Sequence, residues 1–143
     1  MKLVGFNFNK ISVEKQRKKR PKELKIDTNI DISEITTPQS NILKTKEELL
    51  AVTFSHSITY KPDFAKLLLD GSVVLSLEPK TAKNVLKEWK KKKLPADFKV
   101  VLFNVILSKT NVKALELEEE VNLPYHIPLP SLRPEQFEEQ KKK

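Results

Sequence analysis

The chain contains no cysteine, which excludes disulfides, thiolate catalysis and cysteine-ligated zinc. A cysteine-free sequence fits a cytoplasmic address, and the opening MKLVGFNFNK lacks the apolar core of a signal peptide. Glycine is nearly as scarce. Gly5 and Gly71 are the only two, too few for a phosphate-cradling loop or a dinucleotide fingerprint. The two histidines, His56 and His126, stand far apart, with no HExxH, GxSxG or P-loop motif in the chain. No metal and no cofactor is therefore expected. The longest apolar stretch, residues 100–107, is interrupted by Asn104 and is too short to span a bilayer, so no membrane insertion is expected either. These absences leave no residues on which an enzymatic reading rests.

What the chain has in excess is positive charge. Lysine and arginine number 27 against 19 acidic residues, a formal net charge of +8, and Arg17, Arg20 and Arg133 are the only arginines. Lysine is a strongly hydrated point charge, whereas arginine makes the bidentate contacts that read phosphates and guanines. The excess thus signals solubility, or loose attraction to polyanions. With 143 residues, 38% hydrophobic and 32% charged, the composition fits one folded domain with charged loops and tails.

The apolar pattern is organised. Val4, Phe6 and Phe8 share one face of an extended segment, and the phase then moves to Ile11 and Val13; a slip of one residue predicts a strand over 3–14 with a bulge near Asn9 and Lys10. A basic loop, residues 15–22, precedes a strand over 22–33, where Leu24, Ile26, Ile30 and Ile32 alternate with polar residues as in a half-buried antiparallel sheet. Residues 34–48 form a polar connection containing Pro38. A strand over 48–60 then places Leu50, Val52, Phe54, His56, Ile58 and Tyr60 on one face. Its other face, with Ala51, Thr53, Ser55, Ser57 and Thr59, carries no charge and suits packing against another protein surface. A turn at 61–63 leads into a strand over 64–77, with Gly71 as a bulge or bend.

After Pro79 the period changes. Ala82, Val85, Leu86 and Trp89 predict an amphipathic helix over 80–92. A second helix over 96–109 carries Phe98, Val101, Leu102, Val105 and Ile106, widened by Val100, Phe103 and Leu107, and so is expected to be buried on more than one side. Asn111 is expected to cap a third helix reaching Glu120, packed through Val112 and Leu115. The prolines of VNLPYHIPLPSLRP impose an extended course. The predicted class is α+β: a four-stranded antiparallel sheet, two or three helices and a proline-rich extended C-terminal segment. Residues 1–132 form one domain in this reading, and 133–143 a charged, flexible tail.

Ordered segments across residues 3–132 carry a family likeness: FNFNKISVEK, KELKIDTNIDI, the hairpin LLAVTFSHSITYKPDFAKLLLDGSVVLSL, TAKNVLKEWKKKKLP and NVILSKTNVKALELEEEVNLPYHIPLP. In this order they resemble the SecB family of tetrameric export chaperones, in particular its small, divergent archaeal-type relatives. The exit NLPYHIPLP looks like the family's leucine- and proline-rich extended segment. The resemblance implies an ATP-independent holdase that binds unfolded polypeptides in apolar grooves between sheet and helices, assembled as a dimer of dimers. It breaks down in charge: members that hand clients to the translocase motor use an acidic surface, and this chain is basic. Motor binding is not carried over.

Six residues near the helices supply apolar surface for polypeptide contact: Trp89, Phe98, Phe103, Tyr125, Ile127 and Leu129. The plainer reading of each is core or homo-oligomer interface. A homodimer or homotetramer is expected, because the uncharged strand face and the wide helix stripe both need cover. The competing function is a ribosome- or RNA-associated basic protein using Arg17, Lys18, Lys19 and Arg20, with the lysines at 90–93. Against it, the strands lack the surface aromatics and arginines that read bases. His56 is expected to be a hydrogen-bonded core or rim histidine. Asp27, Asp31 and Glu118 to Glu120 are placed on solvated faces.

Overall fold

The computed structural model describes residues 1–38, 47–130 and Pro134. The middle of the polar connection and the charged tail expected from residue 133 lie outside the described residues, Pro134 excepted. Four strands come first, β1 (Lys2–Lys15), β2 (Lys25–Thr36), β3 (Glu48–Lys61) and β4 (Ala65–Leu77), followed by α1 (Pro79–Trp89) and α2 (Ala96–Glu120). The strands make one antiparallel sheet in the order β1-β4-β3-β2. The fold is the α+β arrangement expected, with these two helices among the described residues.

The β3–β4 hairpin occupies the centre because its strands carry the richest apolar alternation. Leu50, Val52, Phe54, Ile58 and Tyr60 of β3, and Leu67, Leu69, Val73 and Leu75 of β4, are all at most 1% exposed. The edge strands continue the same face: Ile26, Ile30 and Ile32 pair with Tyr60, His56 and Phe54, while Phe6 and Val13 pair with Val73 and Leu67. The slip expected near Asn9 is present, since Phe8 pairs with Gly71 and Lys10 with Asp70, leaving Asn9 over. Gly71 answers it from β4: a Cβ there would press on the Asn7 carbonyl oxygen and lie 3.0 Å from Phe54 Cζ. Only glycine lets the two backbones approach this closely.

Both helices lie on one face of the sheet. Pro79 starts α1 with a preset φ, and Ala82 and Val85 are its buried residues. The second helix crosses the sheet diagonally. Its N-terminal part reaches β2 through Phe103, and its C-terminal end reaches β1, where Lys15 Nζ donates to the Val121 carbonyl at 2.6 Å.

Two expectations for the helices are corrected. The helix expected from Asn111 to Glu120 is not a separate element: α2 runs unbroken through Asn111, whose side-chain oxygen is 2.8 Å from His126 Nε2, so its polar group has a tertiary partner instead of a capping role. Val112 is 59% exposed. Nor is α2 covered on several sides. Its buried residues are Phe98, Leu102, Ile106, Thr110, Ala114 and Glu118, one line at four-residue spacing, while Val100 and Val101 are 61% and 43% exposed. A single helix layer on a sheet covers only the stripe that faces the sheet.

The chain leaves α2 through Asn122, at φ 56°, in the left-handed conformation that asparagine tolerates at helix ends. Residues 123–130 carry no helix or strand, as their prolines require.

Candidate functional site

The α1–α2 connection lies beside the edge strand β2 and leaves a groove of about 540 Å³ between them. Ile30 and Ile32 of β2, Trp89 at the end of α1, Leu94 of the connection and Phe103 of α2 form apolar walls, with Asp31, Lys92, Lys93 and Lys99 also lining it. All five apolar residues are only partly buried and rest on the main core cluster. The connection is closed by Lys92 at φ 60°, a conformation that usually falls to glycine. Lys92 Nζ stands 4.7 Å from the centroid of the Trp89 ring, and Lys99 Nζ 5.6 Å from that of Phe103.

A second, polar cluster lies beneath the far part of α2. Phe103 and Glu118 are fifteen residues apart on the helix, roughly 22 Å. Glu118 is fully buried. Its carboxylate accepts from Tyr60 Oη at 2.6 Å and from His126 Nδ1 at 2.9 Å. Tyr60 Oη also lies 2.8 Å from the Pro124 carbonyl, so the cluster ties the exit segment to β3. Burial, then the bond to Glu118, raises the Tyr60 pKa far above its usual value.

His56 sits next to this cluster, 1% exposed, with its ring centroid 6.4 Å from that of His126. Thr110 Oγ1 donates to the Ile106 carbonyl at 2.9 Å and lies 2.9 Å from His56 Nδ1. Because the hydroxyl proton is already given to Ile106, Nδ1 carries the hydrogen and Thr110 accepts it. Burial, reinforced by His126 and opposed by Glu118, pushes the His56 pKa from 6.5 to about 4. His56 is thus the hydrogen-bonded core histidine that its phase predicts.

The candidate residues fall in four places. Trp89 and Phe103 line the groove. Phe98 is 4% exposed within the core below them. Tyr125, Ile127 and Leu129 belong to the exit segment beyond Glu118; Tyr125 and Leu129 are 40% and 48% exposed. The exposed loop residues Arg17, Lys18, Lys19 and Arg20 lie toward the hairpin end, where Lys18 Nζ is 4.0 Å from Asp63 Oδ2. They are apart from the groove, whereas Lys92 and Lys93 belong to it.

The placement of Glu118 on a solvated face is corrected by its complete burial. Its partners come from β3 and the exit segment, out of reach of a local pattern. One signal was available: the four-residue ladder from Phe98 through Ala114 lands on Glu118. The roles of Ile30, Ile32 and Leu94 in the groove were also missed, because an edge-strand isoleucine has the same alternation whether or not a helix covers it.

No protein-family model matches the sequence, and no curated protein matches it. Among solved structures, the chain is similar to the SecB-like chaperone Rv1957 of Mycobacterium tuberculosis, in complex with a ChAD peptide from the Rv1956 HigA1 antitoxin. The TM-score is 0.51 at 10% sequence identity, over 93% of this chain and 91% of that one. The fold is SecB-like. At this identity the likeness is one of architecture. In this SecB-like fold, among the described residues, no helix is long and apolar enough to cross a membrane.

Proposed function

We propose that this chain is a non-enzymatic, ATP-independent holdase that binds unfolded polypeptides in the groove between β2 and the α1–α2 connection. The observation that carries the reading is that groove: five apolar side chains, partly open, beside an edge strand. Contiguous open apolar surface marks an interaction site, and an edge strand offers an extended peptide its unpaired backbone groups. The architecturally similar Rv1957 holds a peptide. Trp89 and Phe103 are the proposed contacts, Phe98 supports them from the core, and Tyr125, Ile127 and Leu129 form a second contact area.

We read residues 1–132 as one cytoplasmic domain that assembles as a homodimer or homotetramer, with export as one setting for its clients. Support for assembly is the exposure of Val100, Val101 and Val112 on α2, together with the uncharged outer face of β3. The RNA-binding alternative is less well supported. The outward-facing residues of the sheet include no aromatic, since Phe6, Phe8, Phe54 and Tyr60 all share the helix-covered face, so the sheet lacks a stacking platform for bases.

The test is light scattering of a denatured client such as citrate synthase, without ATP. Substoichiometric suppression of aggregation that persists at about 0.5 M salt supports apolar capture. Trp89→Ala should weaken it. A blank client assay together with tight, salt-sensitive RNA binding would show that the basic runs were the functional signal.

A further inference from the structure

We propose that the preferred occupant of the groove is an extended polypeptide segment whose apolar or aromatic side chains are flanked by carboxylates. This rests on the polypeptide-binding reading above and adds the chemical class of client.

The charge at the groove is one-sided. Lys92, Lys93 and Lys99 line it against a single carboxylate, Asp31, which already accepts from Asn29 Nδ2 at 3.0 Å. Among the described residues, none of the three lysines has an acidic partner within 4.0 Å. Two of them instead lie over the groove's own aromatic walls, Lys92 over Trp89 and Lys99 over Phe103. A cation over a ring face is attracted to it, which keeps these ammonium groups beside the apolar wall and leaves their remaining donors open.

The backbone contributes to this placement. Lys92 adopts φ 60°, which L-residues with a side chain rarely do. Glycine is the usual occupant of such a helix-terminating position; here a lysine holds it, and its ammonium reaches back over Trp89.

An extended segment laid along β2 has an edge to pair with. Among the described residues β2 neighbours only β3, and its pairing runs regularly from Lys25 to Ile32 before the slip at Ser33. Every second side chain of an added strand faces the same way, so apolar groups enter between Ile30, Ile32 and Phe103, and carboxylates two residues before or after them share that face and meet the lysines. Acidic flanks gain charge-assisted contacts there. Basic flanks are repelled, and this rejection makes the site selective. Phosphates would also satisfy the lysines, but they would leave the apolar walls unused.

Fluorescence anisotropy with the full chain and three labelled peptides tests the proposal. The peptides share a Phe-Leu-Phe centre and carry paired glutamate, serine or lysine residues on each side, so that one of each pair shares the face of the phenylalanines. At low salt the glutamate-flanked peptide should bind about tenfold tighter than the serine-flanked one, and the lysine-flanked peptide weaker still. The gap should shrink at about 0.3 M salt, where screening is strong. Lys92→Glu with Lys99→Glu should invert the ranking, and Lys18→Glu with Lys19→Glu should leave it unchanged. Lys92→Gln with Lys99→Gln should flatten it at an unchanged melting temperature, which separates recognition from folding.

Equal affinity for all three peptides, or preference for lysine flanks, overturns the acidic-client proposal and leaves the holdase reading standing. Failure of all three to bind overturns both. Oligouridylate that binds more tightly than the glutamate-flanked peptide, and loses that binding on reversal of Lys92 and Lys99, overturns the proposal in favour of nucleic acid.

Discussion

Acidification from about pH 7 to about pH 5 should weaken the fold, with His56 a principal source of the loss. The ring is 1% exposed, and its Nδ1 hydrogen is engaged by Thr110. Protonation would place a charge where burial penalises it, which is why its pKa falls from 6.5 to about 4. The unfolded chain takes up the proton more readily than the folded one. The contribution of His56 is therefore fully present above 6.5 and is lost as the pH falls through the window down to about 4. At 1.36 kcal/mol per pH unit the full loss is about 3 kcal/mol, of which about 2 kcal/mol is gone by about pH 5. Urea unfolding followed through the fluorescence of Trp89, the single tryptophan, measures this at fixed protein concentration. His56→Leu removes the titrating group while Thr110 keeps its bond to the Ile106 carbonyl. The variant's stability profile should therefore be flatter than the wild type's by about 2 kcal/mol between about pH 7 and pH 5. Parallel profiles would refute the reasoning and assign the acid sensitivity to other groups.

Four further outcomes are expected. Gly71→Ala drives a Cβ into the Asn7 carbonyl and should cost about 1–3 kcal/mol, read as a lowered urea midpoint with β1 losing amide-exchange protection first. Tyr60→Phe removes the hydroxyl shared by Glu118 and Pro124; it should cost about 2 kcal/mol and speed proteolysis within residues 123–130. Phe98→Ala, at a core position 4% exposed, should lose about 3–5 kcal/mol of stability. Phe103→Ala, on the groove wall, should lose less stability but more client binding, measured on the same preparations by melting and by peptide anisotropy.

Much of this protein was decided within single segments. Strict alternation from Leu24 to Ile32 commits that stretch to a half-buried strand, because side chains of an extended chain alternate between its faces. The one-residue slip at Asn9 demands a bulge for the same reason. The spacing of Ala82, Val85 and Trp89 commits α1 to a helix, and the prolines after Leu123 deny that segment regular structure. Periodicity, however, records which face of an element is apolar and says nothing of what lies against it. Pairing β1 with β4, and so leaving β2 as the edge beside the groove, is a choice among strand neighbours that no alternation contains. Burial of Glu118 depends on Tyr60, fifty-eight residues earlier, and Asn111 stays inside α2 with His126 as its partner. A lysine run looks the same in sequence whether it is solvated or held over aromatic rings; only the tertiary structure placed Lys92 and Lys99 on the wall of an apolar groove, because the contacts that hold them there join residues from separate elements.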